Sequence, residues 1–166
     1  MAKVRVAIVG IGNCASSLVQ GVYYYRHARP GAMIPGIMHT VLGGYHISDI
    51  EFSLGIDIDR RKVGLDLAQA IRTYPNCTYE FCSVPRTGVR VVRGMTHDGL
   101  GQYLAEIIQK APGPTADLGR RLRETRTDVV VNFLPVGSEE ATKWYVEQVL
   151  DAGCAFVNGI PVFIAS

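Results

Sequence analysis

From Val4 to Val9 the chain is apolar and mostly β-branched, then breaks at Gly10-Ile11-Gly12 and resumes as a small-residue segment with Ala15 in the third glycine position. This pattern predicts a buried strand, a tight turn and a helix from about Asn13 to Arg26. Between His27 and Ser48, Gly and Pro recur in PGAMIPG and LGGYH, which excludes a long helix. Ile50 to Ile58 alternates and stays apolar, predicting a second strand that ends at Asp57 and Asp59. Arg60 to Arg72 sets Val63, Leu67, Ala70 and Ile71 on one helical face. Tyr74 to Thr87 reads as loop or irregular strand, Val89 to Val92 as a short strand, and Gly99 to Gln109 as a helix. After the break at Ala111-Pro112-Gly113-Pro114, a helix is expected over Thr115 to Arg126 with Thr115 as its N-cap.

Asp128 to Leu134 is the clearest buried strand. It runs into Pro135-Val136-Gly137-Ser138-Glu139-Glu140, where Ser138 is placed to cap a helix with an acidic first turn, extending to about Ala152 and stopping at Gly153. Cys154 to Val157 forms the next strand, before the apolar end Ile160 to Ile164. The alternation of strands and helices defines an α/β fold, Rossmann-like and doubly wound. Its mostly parallel sheet has five or six strands and helices on both faces. One domain is expected over residues 1–166, with an insertion at about 27–48.

The turn after the first strand carries the candidate chemistry. Gly10 can take backbone angles that a side chain would forbid. Gly12 leaves no Cβ where phosphates approach the main chain, so the N–H groups of Asn13, Cys14 and Ala15 can meet an anion with the helix dipole behind them. Ala15 allows close packing of helix on strand. A dinucleotide's pyrophosphate fits such a turn, although a glycine turn between strand and helix is also a purely structural device. The acid that holds the adenosine ribose is expected about 20 residues beyond the glycines, whereas Asp57 lies 47 residues beyond Gly10. The Gly/Pro stretch explains the displacement if it is inserted between the first helix and the second strand. Asp57 could instead only cap the structure that follows it. In a doubly wound sheet Gly10 to Ala15, Asp57 and Leu134 to Gly137 share the carboxyl edge of the strands.

Composition narrows the partners. The 166 residues are 48% hydrophobic and 19% charged, a globular balance, and a net charge of +2 is too small to argue for nucleic acid. Arg120, Arg121, Arg123 and Arg126 recur at helical spacing and read as a solvated face, with a phosphate-binding or subunit contact as the alternative. No apolar run approaches a membrane span and no signal peptide is apparent, so the cytoplasm is expected. Cys14, Cys77, Cys82 and Cys154 match no metal-binding spacing, the histidines show no zinc pairing, and no metal is assigned.

Three stretches, VAIVGIGNCASSLVQG, NFLPVGSEEA and FVNGIPVFIAS, together with PGIMH and GGYHISDI in the inserted segment, resemble the N-terminal part of the bacterial-type myo-inositol-1-phosphate synthases, also called inositol-3-phosphate synthases. The resemblance covers essentially the whole chain. It implies NAD as cofactor and conversion of D-glucose 6-phosphate to 1D-myo-inositol 3-phosphate by internal redox and aldol cyclisation, for inositol and phospholipid biosynthesis. It places Gly10, Gly12, Asn13 and Cys14 at the pyrophosphate, Ile11 among the cofactor-binding residues, Asp57 at the ribose, and Leu134, Pro135 and Gly137 along the cofactor. Asp66 and Tyr145 match positions associated with cofactor contact; a solvated acid and a packing aromatic are the plainer readings of these two. The resemblance also implies a homotetramer, or other homo-oligomer, and a catalytic and tetramerisation part beyond the position matching Ser166. The lysines for sugar phosphate would lie there; Lys3, Lys62, Lys110 and Lys143 match none of them, so no catalytic residue is assigned here. A stand-alone NAD-binding or interaction module without catalysis is the alternative.

Overall fold

A computed structural model describes residues 3–164. Strand β1 is Val4–Val9, enclosed more completely along its length until Ala7, Ile8 and Val9 are buried on both faces, as a central parallel strand requires. Helix α1, Asn13–Tyr25, follows the glycine turn directly. In the Gly/Pro stretch, β2 (Val41–Leu42) pairs antiparallel with β3 (Tyr45–His46). Gly43 and Gly44 join them at positive φ, the conformation that a two-residue hairpin loop demands. The remaining elements are β4 (Ile50–Asp57), α2 (Leu67–Ala70), β5 (Val91–Arg93), α3 (Gln102–Ile107), α4 (Leu118–Glu124), β6 (Val129–Asn132), α5 (Glu139–Asp151) and β7 (Ala155–Asn158).

Five strands form one parallel sheet in the order β5-β4-β1-β6-β7. The chain winds outward from β1 in one direction, then returns to build on its other side. Strand order therefore reverses beside β1, and a crevice opens there at the carboxyl edge. Successive residues of β1 feed two separate cores. Ile8 packs with Ala15 and Val19 of α1 and with Leu67 of α2; Ala7 and Val9 pack with Leu122 of α4 and with Tyr145 and Val149 of α5. The doubly wound architecture expected from the alternation is thus observed, with helices on both faces.

Several local expectations are corrected. The helix expected over Arg60–Arg72 is regular only at Leu67–Ala70, because Gly64 sits at φ +92° and breaks the turns before it. Thr115 does not cap α4. Its hydroxyl accepts from Arg93 Nη1 at 3.0 Å, while Asp117 caps the helix by accepting from Arg120 N at 2.9 Å. Ser138 occupies the N-cap position of α5, but its hydroxyl donates to the Pro135 carbonyl at 2.6 Å and caps nothing. The short strand expected at Val89–Val92 begins two residues later, at Val91.

Candidate functional site

The two glycines of the first turn are required for different reasons. Gly10 has φ +83°, and a Cβ there would lie 2.6 Å from the Phe133 carbonyl oxygen, so both conformation and packing demand glycine. Gly12 has an ordinary extended backbone, φ −94° and ψ −159°, and a Cβ there would meet nothing within 4 Å. Neither strain nor neighbouring protein atoms explain glycine at position 12. Its bare side faces open space at the start of α1, where no side chain caps the helix. The first N–H groups of the helix and its dipole are therefore presented to that space.

Between the glycines, Ile11 is clamped from both sides. Its N–H donates to Asp57 Oδ2 at 2.8 Å, and its carbonyl accepts from Lys62 Nζ at 2.7 Å and from Asn76 Nδ2 at 3.0 Å. Asp57 uses its other oxygen to accept from the N–H groups of Ile58 and Asp59, at 2.7 and 2.8 Å. The strand-end carboxylate thus fixes both the glycine turn and the start of the next segment. The Asn13 side-chain oxygen accepts from Cys77 N and Thr78 N, at 2.8 and 3.2 Å, which pins a distant loop beside the turn.

These elements enclose a cavity of about 300 Å³. Of the residues expected at a cofactor, Gly10, Gly12, Asn13, Asp57, Leu134, Pro135 and Tyr145 line it. Tyr145 is buried and donates its hydroxyl to the Met95 carbonyl at 2.9 Å; burial pushes its pKa far above the ordinary phenol value. The others stand apart from the cavity wall. Ile11 turns its side chain into the core and contributes only its peptide groups. Cys14 is exposed on the first turn of α1, and Gly137, at φ +91°, shapes the entry into α5.

Asp66 is not brought to the cavity. Its carboxylate caps α2 by accepting from Ala68 N at 2.9 Å, and also accepts from Thr87 N, Thr87 Oγ1 and Gly88 N at 3.1, 2.9 and 2.7 Å. Burial opposes its ionisation, but these donors outweigh burial and hold the carboxyl below its ordinary pKa. Sequence reasoning did not single out Lys62, Asn76 or Met95, all of which line the cavity. Lys62 and Asn76 reach Ile11 across 51 and 65 residues, a distance over which no local pattern carries a signal.

A doubly wound α/β domain with an uncapped helix at a glycine turn and a carboxylate at the next strand end has the architecture of the Rossmann-type dinucleotide folds. No protein-family profile matches the chain. It is 52% identical over 98% of its length to inositol-3-phosphate synthase of Corynebacterium glutamicum, covering 45% of that protein. Against inositol-3-phosphate synthase of Mycolicibacterium smegmatis the identity is 51% over 99% of the chain and 45% of the relative. Among solved structures, Ari2 superposes with a TM-score of 0.79 at 29% identity, over 97% of this chain and 47% of Ari2. The chain is homologous to the N-terminal part of the inositol-3-phosphate synthases, and it spans about 45% of the length of the relatives it matches.

Proposed function

We propose that this chain binds NAD at the Gly10–Ala15 turn and acts as the cofactor-binding part of an enzyme converting D-glucose 6-phosphate to 1D-myo-inositol 3-phosphate. The observation that carries the reading is the empty side of Gly12 at the uncapped start of α1, with Asp57 at the adjacent strand end. A dinucleotide fits these groups: backbone N–H donors for the pyrophosphate and a carboxylate for the ribose hydroxyls. The chemistry NAD supplies when bound is reversible hydride acceptance, so the net conversion is an isomerisation. The chain's own residues position and enclose. The Ile11 clamp holds the turn in one geometry, Asp57 accepts from ribose hydroxyls, and Leu134, Pro135 and Tyr145 wall the cavity against water.

Homology to the synthases supports the substrate and product; a homo-oligomer in the cytoplasm is part of the same proposal. No helix among the described residues is long and apolar enough to cross a membrane. A second reading, an NAD-binding module without catalysis, is favoured by one feature. Among the described residues, the titratable groups lining the cavity are Asp57, Lys62 and Tyr145, and each makes hydrogen bonds within the protein that fix structure rather than reacting groups. An assay of inositol phosphate formation from glucose 6-phosphate and NAD, with the C-terminal remainder of a full-length synthase supplied alongside the chain, separates the two readings: product supports the enzyme, while NAD binding without product supports the module. For the ribose role, Asp57→Ala is expected to weaken NAD about tenfold or more and NADP less, because the carboxylate repels a 2′-phosphate. Equal losses in calorimetric titrations of the two cofactors count against that role.

A further inference from the structure

Lys62 is only 3% exposed, yet neither acceptor of its ammonium is a carboxylate: Ile11 O lies at 2.7 Å and Asn76 Oδ1 at 2.8 Å. The two nearby carboxylates are engaged elsewhere. Asp59 is held by the Arg61 guanidinium through contacts of 2.8 to 3.1 Å, and Asp57 spends its oxygens on the N–H groups of Ile11, Ile58 and Asp59. A buried ammonium without a direct ionic partner is costly, and this one has a third N–H beyond the two in use. Burial pushes its pKa down, opposed by the charges of Asp57 and Asp59. Lys62 also carries the single positive charge among the described residues lining the cavity.

We propose that Lys62 is the cationic anchor for the ligand's pyrophosphate: one of its N–H groups holds the Ile11 carbonyl of the glycine turn, a second holds the Asn76 side-chain oxygen, and the third meets a phosphate oxygen. This rests on the dinucleotide reading of the cavity. The anion supplies the counter-charge that the fold leaves out, and the ammonium adds a full charge to the partial one at the start of α1. Holding the Ile11 carbonyl and binding the phosphate are then two tasks of one side chain.

The test compares calorimetric affinities for NAD, ADP-ribose and adenosine in the unmodified chain, Lys62→Gln, Lys62→Arg and Asn76→Ala. Thermal melting runs alongside. Glutamine retains a donor for the Ile11 carbonyl but no charge. NAD and ADP-ribose affinities are expected to fall about ten- to a hundredfold in Lys62→Gln, with adenosine within about twofold and partial recovery in Lys62→Arg. Asn76→Ala, which loosens the turn while keeping the charge, should lower all three ligands alike. Equal losses for adenosine and NAD in Lys62→Gln, or no loss for either, overturn the anchor. If Lys62→Gln does not fold, Lys62→Arg decides: affinities for NAD and ADP-ribose that fall no more than that for adenosine also overturn it. Failure of the unmodified chain to bind any of the three overturns the dinucleotide reading itself, and the anchor with it.

Discussion

Helices α1 and α5 are each 13 residues long and leave the carboxyl ends of adjacent strands, β1 and β6, yet their first turns are treated in opposite ways. At α5 the dipole is answered from within the protein. The Asp98 carboxylate reaches across 42 residues to accept from Glu140 N at 2.9 Å, and from Ala141 N at the same distance. Short α2 is closed in the same manner by Asp66. At α1 no side chain caps the helix, and Gly12 leaves the approach clear. An N-cap is worth about 1 kcal/mol, so leaving one out at a helix start forgoes stability. Proteins break such local rules mainly where they bind something. Of the two helix starts flanking the crevice, the one without an internal anion is therefore the one to which the ligand is assigned.

A methyl group added at each glycine of the first turn separates structure from binding. Gly10→Ala must place a Cβ against the Phe133 carbonyl at positive φ, and is expected to cost about 3 kcal/mol or more in chemical denaturation. Gly12→Ala meets no protein atom and should change stability by less than about 1 kcal/mol, yet weaken NAD about tenfold or more. If both substitutions damage the fold equally, Gly12 is structural and the open seat is lost. A smaller effect is expected from Asp66→Ala, which removes an N-cap and the clamp on Thr87 and Gly88: about 1–3 kcal/mol of stability, with NAD affinity unchanged. Weaker NAD binding by a variant that still folds would return Asp66 to the site.

Asp98→Ala should cost least, about 0.5–2 kcal/mol. Burial opposes ionisation of Asp98, but the N–H groups of Ala141 and Glu140 outweigh it and hold the carboxyl below its ordinary pKa. A depressed folded-state value means that the contribution is complete above the unfolded pKa, about 4, and is lost as pH falls through the folded one. The stability difference between the unmodified chain and Asp98→Ala should therefore be constant near neutrality and shrink below about pH 4. A difference that persists unchanged into acid would mean that the charge of Asp98 does not cap α5.

What the sequence made legible, and what it hid, divides along the same lines. The apolar run Val4–Val9, the glycine turn and the buried strand at Val129–Asn132 are local patterns, and they led directly to the parallel sheet and the open helix start. Asp57 could be singled out despite its displacement because a strand end marks it, but its hold on Ile11 N–H was not foreseen. Ser138 looked like a cap because its residue type and position suit one; the cap actually arrives from the loop after β5, which no spacing rule connects to α5. Lys62 and Asn76 were hidden for the same reason. Asp66 shows the converse: the resemblance suggested a ligand contact, whereas the fold engages its carboxylate with Thr87 and Gly88.

Amide NMR of the isotopically labelled chain during an NAD titration shows which helix start receives the anion. The Asn13, Cys14 and Ala15 amides are expected to show the largest shifts and to gain protection from hydrogen exchange, while Glu140 and Ala141 keep the protection that Asp98 already provides. Saturable binding that leaves the α1 amides unmoved, or that displaces Asp98 from α5 instead, would contradict the assignment of the anion to α1.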